Sequence, residues 1–344
     1  MAERISWIDF AKGVAIILVV LGHVNTPSRL QDFIYVFHMP FFFVTAGFLL
    51  NLSKWGGAEN FRPFAAKLFN RLLVPYYVAE ILWYPIWYVV CHEMQYPGYL
   101  GRLWRWNEFT PLDVLLGIFV GNSYNNVLIL GQLWFLPCLL LTELIFVALY
   151  NRLNKIGAKI FMLAVVTCSC IGLTVGKIFV LPMGFDIALT AQIFLLAGIL
   201  IRRYNVVERL SPKLCGVLTL ILIVAFEFND RVEMSAAFYG DSLMFCAGGV
   251  TGTLLIMKIS ALMTGGKIFS TISLCGRQSM MILVLHPIAA NVFYEIIARA
   301  TNFPPEIFFT EPTIIFGATV TGVLIPLTIA ERFGKLPVLK YFCP

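Results

Sequence analysis

Long apolar runs recur from one end of the chain to the other, separated by short stretches that hold most of the charges and turn residues. A membrane-spanning helix needs roughly 20 mostly apolar residues, and about ten runs approach that length. They fall at residues 10–24, 33–50, 74–90, 133–149, 158–175, 185–201, 214–228, 242–263, 279–297 and 313–330. Several contain Pro or Gly, which membrane helices tolerate when neighbouring helices satisfy the freed backbone groups. The run at 114–120 is too short to cross and reads as interfacial or re-entrant.

Composition narrows the class. Hydrophobic residues make up 59% of the 344 and charged residues 13%, where a soluble domain carries roughly 25% charged residues. Mean hydropathy is +0.84. The length would suit two or three soluble domains, but no polar block divides the runs. The expectation is an all-α, polytopic integral membrane protein with one transmembrane domain over residues 1–344. No A-x-A-like cleavage site follows the first run, so it reads as an uncleaved span and not as a signal peptide.

Charge gives the bundle an orientation. With an even number of spans, 19 of the 25 Lys and Arg residues fall on one face, among them Arg4, Lys12, Lys67, Arg71, Arg277 and Lys340. The other face keeps Arg29, Arg102, Arg105, Lys177, Arg231 and Arg299, and gathers Glu227, Asp230, Glu233 and Asp241 in one loop. The positive-inside rule then puts both termini in the cytoplasm, and the expected location is the bacterial cytoplasmic (inner) membrane. The formal net charge of +6 is an orientation signal and not a nucleic-acid patch. The 8 cysteines are scattered without a C-x-x-C pair, and Cys168 and Cys170 are two apart, the wrong spacing for the usual zinc sites. They read as small apolar core residues, and no metal is expected.

Against this background the first span stands out. It runs from Asp9 through Lys12, stays uncharged to Leu21, and ends in Gly22-His23-Val24. Lys12 and His23 lie ~16 Å apart along one helix. That sets a cation near one membrane surface and an imidazole more than halfway across. Ionisable groups at lipid depth are costly and point to function. The plainer reading of His23 is a hydrogen bond to a neighbouring helix.

Two further local sequences matter. The second span opens Phe37-His38-Met39-Pro40-Phe41-Phe42-Phe43, and the fourth opens Gly131-Gln132-Leu133-Trp134-Phe135-Leu136-Pro137. Together with Trp7-Ile8-Asp9-Phe10-Ala11-Lys12-Gly13 and Leu21-Gly22-His23, they resemble the acyltransferase-3 family of integral membrane acyltransferases, and most of all its fucose 4-O-acetylase-like branch. The resemblance covers essentially the whole chain. It implies a basic residue eleven positions before an intramembrane histidine, here Lys12 and His23. The family more often has Arg at the first position; Lys12 keeps the charge and loses the bidentate fork. It also implies a cationic pair before the third span. Arg71 matches one member, and Leu68 stands where the other is expected, with Lys67 one helical position away as its substitute.

The chemistry of these residues suits such a role. An acyl-CoA donor is made in the cytoplasm and carries phosphates that call for Arg or Lys. Lys12, Lys67 and Arg71 lie on the cytoplasmic face by the charge argument. The extended pantetheine arm then threads the bundle towards His23, where a neutral imidazole, favoured by burial, removes a proton from an acceptor hydroxyl. Asp9 is roughly 21 Å from His23, too far to orient it, and reads as a partner for Lys12 at i,i+3 or for Arg71. Glu80 and Glu143 either serve the site or pair with buried cations. His38 and His286 sit near span ends, as caps or interfacial groups, and Trp134 is a supporting candidate from its motif. The outer loop holds Tyr96, Tyr99, Trp104, Trp106, Phe109 and Tyr124 among Asn107, Asn122, Asn125 and Asn126, a composition that fits either a sugar site or an aromatic belt.

The expected function is a membrane O-acyltransferase that moves an acyl group, acetyl above all, from acetyl-CoA to a hydroxyl of a surface or lipid-linked glycan. The alternative is a proton-coupled transporter or flippase using the intramembrane His and Glu. Against it, the two halves of the chain show no inverted repeat and no paired broken helices.

Overall fold

In the computed structural model, which describes residues 5–24, 26–96, 98–99, 109–121, 128–301 and 307–343, every long apolar run of the sequence is helical over nearly all its length. The longer helices are α1 (Ser6–His23), α2 (Ser28–Tyr35), α3 (His38–Leu49), α4 (Ala58–Leu68), α5 (Val74–Trp87), α6 (Pro111–Val120), α7 (Phe135–Leu153), α8 (Ala158–Val175), α9 (Phe185–Thr190), α10 (Gln192–Arg203), α11 (Pro212–Phe228), α12 (Ser242–Leu262), α13 (Gly266–Arg277), α14 (Ser279–Thr301) and α15 (Pro312–Phe333). Among the described residues the only β pairing is a single bridge between Glu233 and Phe238. An all-helical answer follows from lipid as solvent, where each backbone N–H and C=O must be satisfied within its own segment.

Among the described residues, seven segments are long and apolar enough to cross a membrane: α1, the α2–α3 pair, Gly131–Leu153, α8, α12, α14 and α15. The pair Pro182–Thr190 and Gln192–Arg203, bent by 50°, adds an eighth if it is one span. The other two expected spans fall outside that set as regular helix: 74–90 is an α-helix of 14 residues that runs on into the π-helix Tyr88–Glu93, and 214–228 lies in a helix of 17 residues. Among the described residues, seven or eight of the ten expected spans thus have full membrane length as regular helix. Helix α6 has 10 residues and cannot cross. It is fixed by a capping box, with Thr110 Oγ accepting from the Asp113 N–H and the Asp113 carboxylate accepting from the Thr110 N–H.

Two close helix contacts set the frame around the site. Where α1 meets α13, Gly13 faces the Ile272 backbone and Gly276 faces the Asp9 backbone. A Cβ at either glycine would overlap main-chain atoms, so small residues let the backbones approach, as membrane helix pairs commonly require. The α3–α10 contact repeats the device with Gly47 against Leu195 and Gly198 against Val44.

Prolines break the regular ladder at three places that bear on the site. Pro40 has no N–H for the Val36 carbonyl, and the chain turns at Phe37 between α2 and α3. Pro75 has none for the Arg71 carbonyl, and the turn before it, Phe69–Leu73, is π-helical. Pro287 lies inside α14 and frees the Leu283 carbonyl. Such interruptions concentrate at functional places in helices.

Candidate active site

Helix α1 supplies the axis of the site. Lys12, Ile16, Val19 and His23 all line one cavity of about 910 Å³. Eleven residues at 3.6 per turn amount to three turns and a remainder of ~20°, so Lys12 and His23 share one face. His23 is the last residue of the 18-residue helix, which puts it at the far end of the span and not merely past its middle. The other walls come from α2–α3, α4 with its π-helical extension, the start of α7, α14, and the C-terminal residues Lys340–Phe342.

One end of the cavity is cationic. Lys12, Lys67, Arg71, Arg277 and Lys340 line it. Arg71, in the π-helical turn, forms an ion pair with Glu143 of α7. The Arg71 side chain is 47% exposed and Glu143 is 5% exposed, so the guanidinium bridges a buried carboxylate and the open cavity. Lys67 stands 5.3 Å from the ring centre of Trp55, whose face is also 4.6 Å from the Lys54 ammonium. Burial, together with the Arg71 and Lys54 cations, holds the Lys67 pKa below its usual value, with Glu143 opposing. Like charges held this close favour an incoming anion, which relieves their repulsion.

Histidines gather at the other end. The His23 ring lies 5.3 Å from His286 and 6.3 Å from Tyr35, and Tyr35 lies 4.6 Å from His38. Each of these three imidazoles contacts the carbonyl four residues earlier through Nδ1: His23 to Val19 at 2.7 Å, His38 to Ile34 at 3.1 Å and His286 to Ile282 at 2.9 Å. A carbonyl only accepts, so Nδ1 carries a proton in each, and in the neutral form of such a ring Nε2 is the nitrogen with the lone pair. Tyr35 O–H and Gln31 Nε2 both donate to the Gly22 carbonyl, at 3.2 and 2.8 Å, and so fasten the helix end that carries His23.

A buried carboxylate and a half-buried amide hold the wall between the ends. Glu80 accepts from the N–H groups of Ile129 and Leu130 at 3.1 and 3.2 Å, which fixes the loop that leads into Gly131–Trp134. Gln132 Nε2 then donates to the Leu283 carbonyl at 3.0 Å, the one freed by Pro287, and His286 Nδ1 approaches the same oxygen at 3.0 Å. The motif glutamine thus satisfies the carbonyl that the proline frees in α14, the same oxygen that His286 approaches.

Of the residues singled out from the sequence, Lys12, His23, His38, Lys67, Arg71, Trp134 and Glu143 all line this one cavity. Asp9 is buried, with its backbone against Gly276 in the α1–α13 contact, and it is not among the lining residues. The ion-pair partner of Arg71 is Glu143 and not Asp9. Glu80 is a loop anchor. His38 and His286, expected as caps or interfacial groups, are 4% and 0% exposed and stand beside the site. His286 went unrecognised because a His-Pro step in an apolar run gives no sign of which helix it faces. Glu233 and Ser235, also in the wall, belong to a loop whose acidic residues read only as orientation. Trp104, Trp106, Tyr124, Asn107, Asn122, Asn125 and Asn126, like Arg4, Arg102 and Arg105, lie outside the described residues. Among the described residues no three His, Cys, Asp or Glu side chains group as a metal site.

Comparison with known proteins gives the chemistry a name. A family model described as an acyltransferase domain, that of the acyltransferase-3 family, matches residues 5–331. No curated protein and no solved structure matches significantly. Among the described residues, the matched stretch contains the membrane-length helices, but for the last two residues of α15, and every cavity wall except the C-terminal residues, and the chain belongs to this acyltransferase family.

Proposed function

We propose that the protein is an O-acyltransferase that takes acetyl from cytoplasmic acetyl-CoA and delivers it to a hydroxyl of a surface or lipid-linked glycan, in the manner of the fucose 4-O-acetylase-like branch. The observation that carries this reading is a single cavity with cations at one end and His23 at the other, on the same face of α1. Its volume of about 910 Å³ lies at the upper end of the ~300–1,000 Å³ common for small-molecule sites, as a long donor requires. Lys12, Lys67 and Arg71 hold the donor phosphates, and Ile16, Val19 and Phe42 flank the pantetheine arm. His23 Nε2 takes the proton of the acceptor hydroxyl while its oxygen attacks the thioester carbon. The C–S bond breaks, and the proton passes to the departing sulfur, leaving an ester and free CoA thiol.

Orientation follows from charge: the cationic end faces the cytoplasm, with both termini, in a bacterial inner membrane. The carboxylate–guanidinium pair at the donor end and the Nδ1-anchored imidazole at the acceptor end divide binding from proton transfer. The test is acyl transfer and acetyl-CoA binding by purified protein in nanodiscs. His23→Ala is expected to lower transfer by ~10²–10⁴-fold, the range for loss of a general base, with the Kd for acetyl-CoA unchanged. Full transfer by a folded His23→Ala protein would refute the assignment.

A further inference from the structure

The hydrogen-bonding sense of the His23 end is uneven. Among the described residues, its side-chain donors are largely committed to the protein's own oxygens. His23 and His38 give Nδ1–H to Val19 and Ile34, and Tyr35 gives its O–H to Gly22. Ser235 Oγ donates to Glu233 at 2.6 Å, and Asn291 Nδ2 donates to the Pro287 carbonyl at 2.8 Å. These donations also fix the sense of the groups, because a carbonyl or carboxylate cannot donate. The two imidazole Nε2 lone pairs, the Asn291 Oδ1, the Ser235 lone pairs and the Glu233 carboxylate are left to a ligand. The second amide hydrogen of Asn291 is the remaining donor in this set. No cation lines this end among the described residues. Arg231 is turned to the Tyr35 ring at 5.9 Å and to Asp32 at 3.7 Å, and it is not among the lining residues.

We infer that the chamber beside His23 is a subsite for a ligand that brings its own hydrogen-bond donors, a neutral polyol or amino sugar, and that it excludes carboxylated and phosphorylated sugars. A wall of acceptors leaves an anion with desolvated, unpaired oxygens and sets the Glu233 carboxylate against it, which is how a buried polar site rejects a near-isostere. Vicinal hydroxyls, in contrast, each offer one O–H to this wall and turn a lone pair to the next hydroxyl. Glu233 is the residue that sets the preference. The inference rests on the proposed transfer reaction for its biological meaning and not for its test.

The test is direct binding to the full-length protein in nanodiscs, read by ligand-observed NMR with methyl β-D-glucopyranoside, its amino-sugar analogue and the corresponding glucuronoside. The glucoside and the amino sugar are expected to bind at least tenfold more tightly than the uronoside, about the worth of one charge-assisted hydrogen bond. Glu233→Gln, which adds a donor and removes the charge, should shrink that margin to about threefold or less. Glu233→Asp should keep it, and thermal unfolding shows that both variants are folded. Equal binding of glucoside and uronoside, binding of neither, or a margin untouched by Glu233→Gln would overturn the inference. Acyl transfer to an unrelated hydroxyl acceptor would in those cases leave the proposed reaction standing. Preferential glucoside binding without any acyl transfer would remove the reaction alone.

Discussion

At one end of the cavity Lys12, Lys67, Arg71, Arg277 and Lys340 offer positive charge and several N–H donors, with the Glu143 carboxylate set behind them. At the other, His23, His38, Tyr35 and Ser235 direct their donors inward to protein oxygens, and Glu233 adds a negative charge. The difference follows from depth in the membrane. The cations stand near helix ends and on short connections, where long side chains reach water. The imidazoles stand at or near breaks in membrane helices, where no water serves a buried donor and each Nδ1–H turns to a carbonyl one helical turn earlier. The same physics that satisfies the backbone therefore turns one chamber into a surface of acceptors, while the other remains a surface of donors.

The sharpest way to break this comparison is at Arg71. Arg71→Ala removes a charge-assisted contact and is expected to weaken acetyl-CoA binding by about tenfold or more. It also leaves Glu143 buried without its partner, so the melting temperature should fall. The double variant Arg71→Ala with Glu143→Gln should recover the melting temperature and not the affinity. Recovery of both by the double variant would mean that Arg71 acts on the fold alone.

A smaller effect is expected at Glu80, which serves neither chamber directly. Glu80→Gln keeps one acceptor oxygen and turns an amide donor towards the second backbone N–H, at a cost of about 1–3 kcal/mol for an unsatisfied buried group. Thermal unfolding of the variant in detergent measures it. An unchanged melting temperature would show that the loop 128–134 does not depend on this carboxylate.

Smallest of all should be Lys12→Arg. The charge stays at the same depth and the fork can only add contacts, so acetyl-CoA affinity should stay within about threefold of the native value. A loss as large as that of Lys12→Ala would show that the shape of the ammonium, and not its charge, is read.

How much of this could be read from the chain varies with the kind of signal. Helical content and the ten apolar segments were legible, because lipid as solvent demands long apolar runs. Which of them run as regular α-helix over full membrane length was not. The π-helix Tyr88–Glu93 replaces the regular end of the 74–90 segment, and a 50° bend divides Pro182–Arg203, and neither changes the hydropathy. Lys12 and His23 were legible from spacing within one helix. The Arg71–Glu143 pair was not, since those residues are 72 positions apart and meet only when α7 packs beside the π-helical turn. His286 shows the same limit: its neighbours in sequence are apolar, and its neighbour in space is a histidine on α1.

The central claim is that donor and acceptor meet inside one cavity, entering from ends of opposite chemistry. The most direct measurement is a cryo-EM structure of the protein in nanodiscs with a non-hydrolysable acetyl-CoA analogue. The account predicts phosphate density against Lys12, Lys67 and Arg71, with the acyl end running past Ile16 and Val19 to the His23 imidazole. An analogue bound outside this cavity, or inside it with the acyl end turned away from His23, would contradict it.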